Sequence, residues 1–416
     1  MDNKVKNIVK SAYTEVPLYI KSICNCGQSI DDILKNDAFE KIPFIDKSEI
    51  INNGNNVISA GYVPMYLSKE LMIERTSGSS GQYMEIYWDK KDFTKSMMQL
   101  WLLRKKYYGI LPTDKMCYFF TVYKEMVEDE QDEHLEKNVW GFSKINLSTS
   151  RIIEIYKKMC EFKPKWLMLQ PSIAVLLCQC IKNYSLEKLD CVEYIEFSGE
   201  ILTDEVRKMT KEIFNCQIAD QYGANELNSI AYECPCGNMH VMDSNVYVEI
   251  IDETGKNVKN QCGEICVTTL TNNAMPLIRY KIGDIGMITD KNCTCGNTAP
   301  VMSLMSGRKN DFVLCEDRTQ ITAYSFVKAI DIVNLKINGA IKQFNIIQKD
   351  INMFKVKFVV DFDEIFDTYQ LEDLFINSIV EDRLYNAEFE FEYEEKLFPE
   401  NRTGKFSYFK RELDSE

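Results

Sequence analysis

A loop rich in glycine and hydroxyl side chains, residues 76–81, lies between two apolar segments that favour β-strands. Gly78 and Gly81 let the backbone turn and bring its N–H groups close to a ligand. Further hydrogen-bond donors are supplied by Thr76, Ser77, Ser79 and Ser80. The loop therefore predicts a phosphate site, although a flexible linker is the alternative when it is considered alone. It is not a Walker loop, because the spacing differs and Gln82 stands where a lysine is expected.

Two further polar segments follow predicted strands. Ser198-Gly199-Glu200 comes after the strand 194–197, and residues 221–226 come after the strand 217–220. A strand at 164–169 and helices at 172–183 and 203–214 complete an alternating pattern, which predicts a parallel or mixed sheet with helices on its faces. Ligands in such sheets bind beyond the carboxyl ends of the strands, so we expect both segments to contribute to a site.

Two Cys-x-Cys-Gly turns carry the metal chemistry of the sequence. The candidate ligands are Cys234, Cys236, His240, Cys293 and Cys295. Thiolates and imidazole suit tetrahedral zinc, and four protein ligands would make the site structural. We favour Cys293 and Cys295 together with two of the other three residues. A pair of reduced turns without metal is the alternative.

The composition excludes some classes of protein. The chain has 416 residues, of which 45% are hydrophobic, and its net charge of −14 argues against general binding to nucleic acid or an anionic membrane surface. No 18-residue apolar run and no apolar signal segment are present, which predicts a cytoplasmic protein that does not enter the membrane. Most of the 15 cysteines are therefore expected to be reduced.

The remaining pattern predicts elements on both sides of the sheet. Short helices are expected before residue 60, with a capping box from Asp46 to Glu49, and a longer helix over 91–108 that stops at Gly109. The acidic segment 124–136 is predicted to be an exposed loop or helix face, and His134 to be solvated. A helix over 369–385 belongs to a smaller α+β region.

These segments, in this order, resemble the adenylate-forming superfamily and, within it, the phenylacetate–coenzyme A ligase branch. The resemblance covers nearly the whole chain and includes residues 278–284, the hinge-like Gly307-Arg308 and the tail Arg402-Thr-Gly-Lys405. It implies an α/β fold with a large N-terminal domain of mixed sheets and flanking helices, and a small mobile α+β C-terminal domain. The implied boundaries are 1–306, with a zinc-stapled subregion around 230–300, and 307–416.

The resemblance also implies a role for each segment. Lys405, Glu226 and Thr76 would be catalytic, with Glu226 binding Mg²⁺ and Lys405 entering from the small domain. Asp284 would bind the ribose, Arg308 would support it, and Tyr222 would lie against adenine. Taken alone, Glu226 is equally open to a helix-capping role and Asp284 to a turn-forming role. The residues implied to bind ATP are Ser77, Gly78, Ser79, Ser80, Gly81, Gly199, Glu200, Asp220, Tyr222, Gly223, Asn225, Asp284 and Arg308.

The implied activity is ATP-dependent conversion of a carboxylic acid, aromatic or similarly apolar, to an acyl-AMP and then to a coenzyme A thioester. Transfer of the acyl group to a carrier protein, an amine or a hydroxyl is one alternative, and a nucleotide-binding module without turnover is another. Gln82, Asn225 and Asn310 depart from the family pattern. The residues that either line the acyl pocket or form core are Phe119, Phe120, Tyr123, Trp140 and the segment Trp166 to Gln170. A homodimer is compatible with the sequence.

Overall fold

The computed structural model describes residues 2–25, 29–75, 84–120, 132–144, 147–308, 312–337, 340–360, 367–379, 384–395, 397 and 408–413. The chain divides into two compact units. The first contains residues 1–112 and 219–305, and the second contains residues 113–218 and 306–416. Each unit is therefore built from two separate stretches of the chain.

The first stretch of unit 1 is mainly helical, because its apolar residues recur at helical spacing. Its elements are α1 (Asn3–Glu15), α2 (Pro17–Asn25), α3 (Ile30–Lys35), α4 (Lys47–Asn53), α5 (Val63–Leu67), β1 (Met72–Arg75), β2 (Glu85–Trp88) and α6 (Lys90–Tyr108). Single 3₁₀ turns occur at Phe39–Lys41, Gly54–Val57 and Ala60–Tyr62. The predicted capping box is confirmed, since the Asp46 side chain accepts from the Glu49 N–H and the Glu49 carboxylate accepts from the Asp46 N–H. Gly109 ends α6 with a φ of 68°.

The second stretch of unit 1 supplies β strands. They are β8 (Gln217–Ala224), whose first two residues belong to unit 2, β9 (Asn228–Glu233), β10 (Met239–Val241), β11 (Val246–Ile251), β12 (Gly263–Thr269), β13 (Tyr280–Thr289) and β14 (Val301–Arg308). They lie in the order β11-β12-β13-β14-β10-β9-β8. The unit 1 core packs helices α1 and α2 with this sheet through residues such as Val9, Tyr19 and Ile278.

The first stretch of unit 2 alternates strands and helices as predicted. Its elements are β3 (Met116–Phe120), β4 (Glu133–Glu136), β5 (Val139–Ser143), α7 (Thr149–Phe162), β6 (Trp166–Leu169), α8 (Pro171–Asn183), β7 (Tyr194–Ser198) and α9 (Asp204–Phe214). The strand order is β7-β6-β3-β5-β4, with parallel pairs except for β4 against β5. The carboxyl ends of β3, β5, β6 and β7 consequently meet at one edge.

Residues 306–416 form their own sheet and core within unit 2. Their elements are β15 (Phe312–Leu314), β16 (Gln320–Thr322), α10 (Tyr324–Lys336), β17 (Ile341–Asp350), β18 (Met353–Val360), α11 (Thr368–Ser378), β19 (Glu388–Tyr393) and β20 (Phe409–Arg411). The main sheet has the order β19-β18-β17-β20, and Phe326, Phe354 and Phe375 are buried against it. This α+β character is as predicted, whereas a separate domain beginning at residue 307 stays a prediction.

Three local expectations were wrong. Residues 133–136 form an edge strand because Leu135 pairs with Trp140 on β5, although His134 is exposed as expected. Strand β8 runs to Ala224 instead of residue 220, because it continues as one arm of a hairpin with β9. Helix α11 ends at Ser378, where Ile379 leaves the helical conformation, instead of continuing to residue 385.

Candidate active site

The segment from Tyr222 to Glu226 spans the tip of the β8–β9 hairpin. Its register shifts at Gly223, and a Cβ there would lie 2.5 Å from the carbonyl oxygen of Asn228, so only glycine fits. Residues 225–227 form the turn, and the Leu227 N–H donates to the Ala224 carbonyl at 3.0 Å. No helix begins at this turn, so a helix-capping role for Glu226 is wrong.

The hairpin and β13 together hold two carboxylates in unit 1. The Tyr222 hydroxyl donates to Asp284 Oδ2 at 2.7 Å, and the Tyr280 hydroxyl donates to Glu226 Oε1 at 3.2 Å. Glu226 is 9% exposed. Among the described residues, its second carboxylate oxygen has no hydrogen-bond partner. An acidic oxygen held in this way can accept a divalent cation. Asp284 lies inside β13 and not in a turn, so a turn-forming role is wrong.

A buried asparagine holds the hairpin in place. Asn245 Nδ2 donates to the carbonyls of Leu227 and Ser229 at 3.0 and 2.7 Å, and the Thr271 hydroxyl donates to its Oδ1 at 2.7 Å. These bonds link Asn245, in the loop between β10 and β11, to the β8–β9 hairpin and to Thr271, which follows β12. Neither Asn245 nor Tyr280 was anticipated as a site residue. Tyr280 could have been found from its position four residues before Asp284.

Strand β13 is fixed at its start by Arg279, which is fully buried. Its guanidinium donates twice to Glu249, at 3.0 Å each, and to the carbonyls of Glu40 and Ile42 at 3.0 and 2.6 Å. It also lies 4.0 Å from the ring centre of Phe44. Arg279 has a φ of 50°, a left-handed conformation that these contacts must maintain. Tyr280, the next residue, is positioned by this cluster.

Gly199 and Glu200 lie in unit 2, after β7. Gly199 has a φ of 83°, which favours glycine. The carboxylate of Glu200 accepts from the Ser172 backbone N–H at 3.0 Å and from its hydroxyl at 2.9 Å. Glu200 thereby caps α8, whose first N–H groups have no partner within the helix. In unit 1, the Asp220 N–H donates to Glu233 at 2.7 Å.

Part of the predicted site cannot be located. Lys405 and the whole phosphate loop, Thr76, Ser77, Gly78, Ser79, Ser80 and Gly81, lie outside the described residues. So do Gln82, Tyr123 and Asn310. The backbone of Arg308 ends β14, but its side chain is not described. Asn225 lies exposed in the hairpin turn.

Four of the five candidate metal ligands come together in unit 1. The ligand atoms of Cys234, His240, Cys293 and Cys295 all lie within 4.8 Å of one another. Cys234 Sγ is 3.6 Å from Cys293 Sγ, and Cys295 Sγ is 3.4 Å from His240 Nε2. A tetrahedral zinc with bonds of about 2.0–2.3 Å requires ligand separations of roughly 3.4–3.8 Å. The donor set and these two separations therefore fit this metal.

The surroundings of the cluster orient its ligands. The carbonyl of Ala299 lies 2.9 Å from His240 Nδ1, which places the proton there and leaves Nε2 facing the thiols. Burial raises the pKa of the Cys234 thiol to about 12. The Cys295 backbone N–H lowers the pKa of Cys293 to about 5, helped by His240. Partial burial, followed by the contact with Cys295, raises the pKa of Tyr107 to about 12.

Cys236 lies outside this cluster. It is exposed, and its Sγ is 3.4 Å from the Thr294 hydroxyl. Asn238 occupies the corresponding place against the cluster, since its Nδ2 lies 3.2 Å from Cys293 Sγ. The geometry thus favours Cys234 and His240 as the partners of Cys293 and Cys295.

The aromatic residues proposed for the acyl pocket divide between core and edge. Phe119 is 3% exposed and belongs to the unit 2 core, to which Trp140 also packs. Trp166 is 1% exposed and lies against the ring of Tyr194. Gln170, at the end of the same predicted segment, instead lies at the carboxyl edge of the sheet, directly after β6.

Comparisons with known proteins agree with this fold. No protein-family model matches the chain. A phenylacetate–coenzyme A ligase of Thermus thermophilus is 23% identical over 325 residues, covering 75% of this chain and 70% of that protein. A phenylacetate–coenzyme A ligase of Pseudomonas putida is 23% identical over 318 residues, covering 74% and 69%.

Solved structures extend the likeness to almost the whole chain. A 2-hydroxyisobutyryl-CoA ligase in the postadenylation state, with R3-HIB-AMP bound, gives a TM-score of 0.72 at 14% identity, covering 98% of this chain and 88% of that chain. This likeness confirms the predicted fold. The chain is therefore similar in sequence to phenylacetate–coenzyme A ligases, and it has the fold of the CoA ligase whose structure it matches.

Proposed function

We propose that this chain is an AMP-forming acid–thiol ligase. It converts a small carboxylic acid and ATP to an acyl-AMP and pyrophosphate, and then transfers the acyl group to the thiol of coenzyme A. The proposal rests on two carboxylates, Glu226 on the β8–β9 hairpin and Asp284 on β13. Each of them accepts a hydrogen bond from a tyrosine hydroxyl. Relatives named phenylacetate–coenzyme A ligases support the same chemistry.

The first half-reaction joins two anions, so the site must mainly position them and stabilise charge on the phosphate. Asp284 accepts hydrogen bonds from the ribose hydroxyls, and Tyr222, fixed by Asp284, lies against adenine. Glu226 holds Mg²⁺, which supplies positive charge to the phosphate oxygens when bound. Its unpaired oxygen and buried position support that assignment.

Other ATP contacts are proposed from the sequence motifs. The loop Thr76–Gly81 binds the β- and γ-phosphates, and Asn225 donates to phosphate from the hairpin turn. Asp220 and Gly223 contact the nucleotide from β8. The backbone of Gly199 and Glu200 contacts adenine, and Arg308 supports the ribose. Because the Glu200 carboxylate already caps α8, we assign only its backbone to the nucleotide.

Lys405 brings a positive charge to the α-phosphate and the attacking carboxylate. We propose that residues 307–416 act as a mobile lid, which first presents Lys405 and then turns to admit the thiol. Replacement of Lys405 by alanine should reduce adenylation about 10²–10³-fold or more. ATP binding should change much less, which equilibrium binding of ATP measures alongside turnover; equal turnover in both proteins would remove this role.

The acid panel tests the function as a whole. Pyrophosphate release is measured with aromatic and aliphatic acids, with and without coenzyme A, and thioester is followed separately. Acid-dependent pyrophosphate together with thioester supports the proposal. Pyrophosphate without thioester would transfer the second step to a carrier protein, an amine or a hydroxyl acceptor, and no pyrophosphate with any acid would leave a nucleotide-binding module.

The cysteine cluster is proposed as a structural zinc site, with Cys234, His240, Cys293 and Cys295 as ligands. Four protein ligands leave no open position, so zinc here would supply a crosslink between the turns after β9 and β13. Cys236 is proposed as a non-ligand.

The proposal also covers the cellular compartment and the oligomeric state. None of the helices in the described part of the chain has the length and apolar character needed to cross a membrane. The cysteines described by the structure are free thiols, as a reducing compartment maintains, and we propose the cytoplasm. A homodimer is also proposed, and sedimentation of the purified chain measures it.

A further inference from the structure

A lysine lies at the carboxyl edge of the parallel strands of unit 2. Lys144 directly follows β5, and its N–H donates to the Phe120 carbonyl, at the end of β3, at 2.9 Å. Its side chain is half-buried, and among the described residues its ammonium group has neither a hydrogen bond nor an ion pair. Burial lowers the pKa of Lys144, while the charge of Glu200 partly opposes that shift. A half-buried cation without a partner is costly unless a ligand supplies one.

An acceptor without a partner lies at the same edge. The carboxamide oxygen of Gln170, directly after β6, is buried and has no hydrogen-bond partner in the structure. At Gly199 the nearest atom to an added Cβ would be Gln170 Cγ at 3.8 Å, so the missing side chain keeps space open beside Gln170. Buried carboxamide oxygens are normally hydrogen-bonded, which makes this one a second unfilled position.

The two groups can reach a common ligand. Strand β3 alone separates β5 from β6, so Lys144 and Gln170 start about 10 Å apart, roughly two strand spacings. Their extended side chains together span that distance. Glu200 acts on Lys144 through its charge and forms no direct ion pair with it, and Ser172 donates to both Glu200 oxygens.

We infer that Lys144 and Gln170 are specificity-determining residues that recognise a hydroxyl group on the acid substrate. A hydroxyl is both acceptor and donor, so it takes a hydrogen bond from the Lys144 ammonium and gives one to Gln170 Oε1. The substrate class is therefore a hydroxylated carboxylic acid. This inference rests on the proposed ligase function for its catalytic readout only.

The test compares phenylacetate with its 2-, 3- and 4-hydroxylated forms. For each acid kcat/KM is measured from pyrophosphate release, and Kd is measured by calorimetry without ATP. The native protein should prefer one hydroxylated isomer by about 10–100-fold, because an acid without the hydroxyl leaves the half-buried Lys144 ammonium and the buried Gln170 oxygen unpaired. Lys144→Met and Gln170→Leu should each reduce that ratio about tenfold or more. Lys157→Met, an exposed lysine on α7, should leave it unchanged.

The outcomes separate this inference from the ligase proposal. No acid-dependent pyrophosphate would remove the ligase function, and the binding preference and its loss in Lys144→Met would still decide the role of Lys144. Equal binding and turnover of all four acids by the native protein, or an unchanged ratio in Lys144→Met and Gln170→Leu, would overturn the assignment. Circular dichroism of each variant verifies that a lost preference does not reflect unfolding.

Discussion

Single side chains of this protein are defined by what holds them. From the sequence, Glu226 and Asp284 were also open to purely structural interpretations, Glu226 as a helix cap and Asp284 as a turn former. The structure places Glu226 in a hairpin turn against Tyr280, and Asp284 inside β13 against Tyr222. Each carboxylate therefore has a tyrosine hydroxyl that fixes its rotamer. Such a second residue keeps a binding group in position without adding charge.

The Glu226 role gives a prediction about magnesium. Glu226→Gln removes the anionic oxygen but keeps the bond from Tyr280, so acid-dependent pyrophosphate release should decrease about 10²–10³-fold. The Mg²⁺ concentration for half-maximal rate should rise. Magnesium titrations of both proteins measure this change, with Glu212→Gln, an exposed glutamate on α9, as the matched control. An unchanged magnesium dependence would contradict the assignment.

The cysteine cluster gives a prediction about metal content. Cys293→Ser should lose the zinc, whereas Cys236→Ser should retain close to one zinc per chain, because only Cys293 lies within the ligand cluster. Elemental analysis of the purified variants makes the comparison. If Cys236→Ser also lost its zinc, Cys236 would have to replace one of the four proposed ligands. A metal-free native protein with full activity would remove the zinc site itself.

At the scale of elements, β13 positions two of the site residues, Tyr280 and Asp284. It begins at the buried Arg279–Glu249 pair, continues through Tyr280, and presents Asp284 four residues later. A β-bridge between Ile45 and Tyr280 ties the strand to the helical stretch of unit 1. The site therefore depends on contacts between residues more than 230 positions apart in the chain.

Arg279 offers a test of that dependence. Arg279→Met leaves Glu249 charged, buried and unpaired, so the free energy of unfolding should decrease by about 3–5 kcal/mol in urea titrations. Arg279→Met combined with Glu249→Leu removes both charges and should restore most of that loss. Lys259→Met breaks the exposed pair with Asp290 and should cost less than about 1 kcal/mol. A loss as small as this control in Arg279→Met would contradict the role of the pair.

At the scale of the whole molecule, the C-terminal region touches the sheet region within unit 2. Gln179 on α8 donates to the Asn334 carbonyl on α10 at 2.6 Å. The Asn334 side chain donates to the Ile341 carbonyl and accepts from the Ile341 N–H, each at 2.9 Å. Gln179 Oε1 is buried and has no hydrogen-bond partner in the described part of the chain. The contact therefore holds residues 306–416 in this arrangement while leaving one acceptor unsatisfied.

If residues 307–416 rotate between the two half-reactions, this contact must break. Gln179→Leu should then change the ratio of adenylation to thioester formation by about tenfold, since a bond worth about 1.5 kcal/mol would favour one arrangement. Single-turnover measurements of each step give the ratio, and Lys182→Ala, an exposed lysine on α8, is the control. Equal changes in both steps would indicate that Gln179 affects stability only.

Much of this organisation was accessible from the sequence. Helical and strand periodicity, the Asp46 capping box and the order of the ATP motifs are local or sequential properties, and they predicted the fold. Errors arose where pairing decides structure. Residues 133–136 and 221–224 are strands because a partner strand lies beside them, and local propensity does not specify that partner.

The sequence by itself determined which chemical groups this protein has and in what order, because motif spacing and periodicity are properties of one chain segment at a time. Only the tertiary structure decided which groups meet. It joined His240 and Cys234 to Cys293 and Cys295, and it gave Glu226 and Asp284 their tyrosines. Among the described residues, it left the Lys144 ammonium and the Gln170 carboxamide oxygen without a partner at one sheet edge. These choices depend on packing between distant segments, since a side chain acquires its partners only when the backbone of both is fixed.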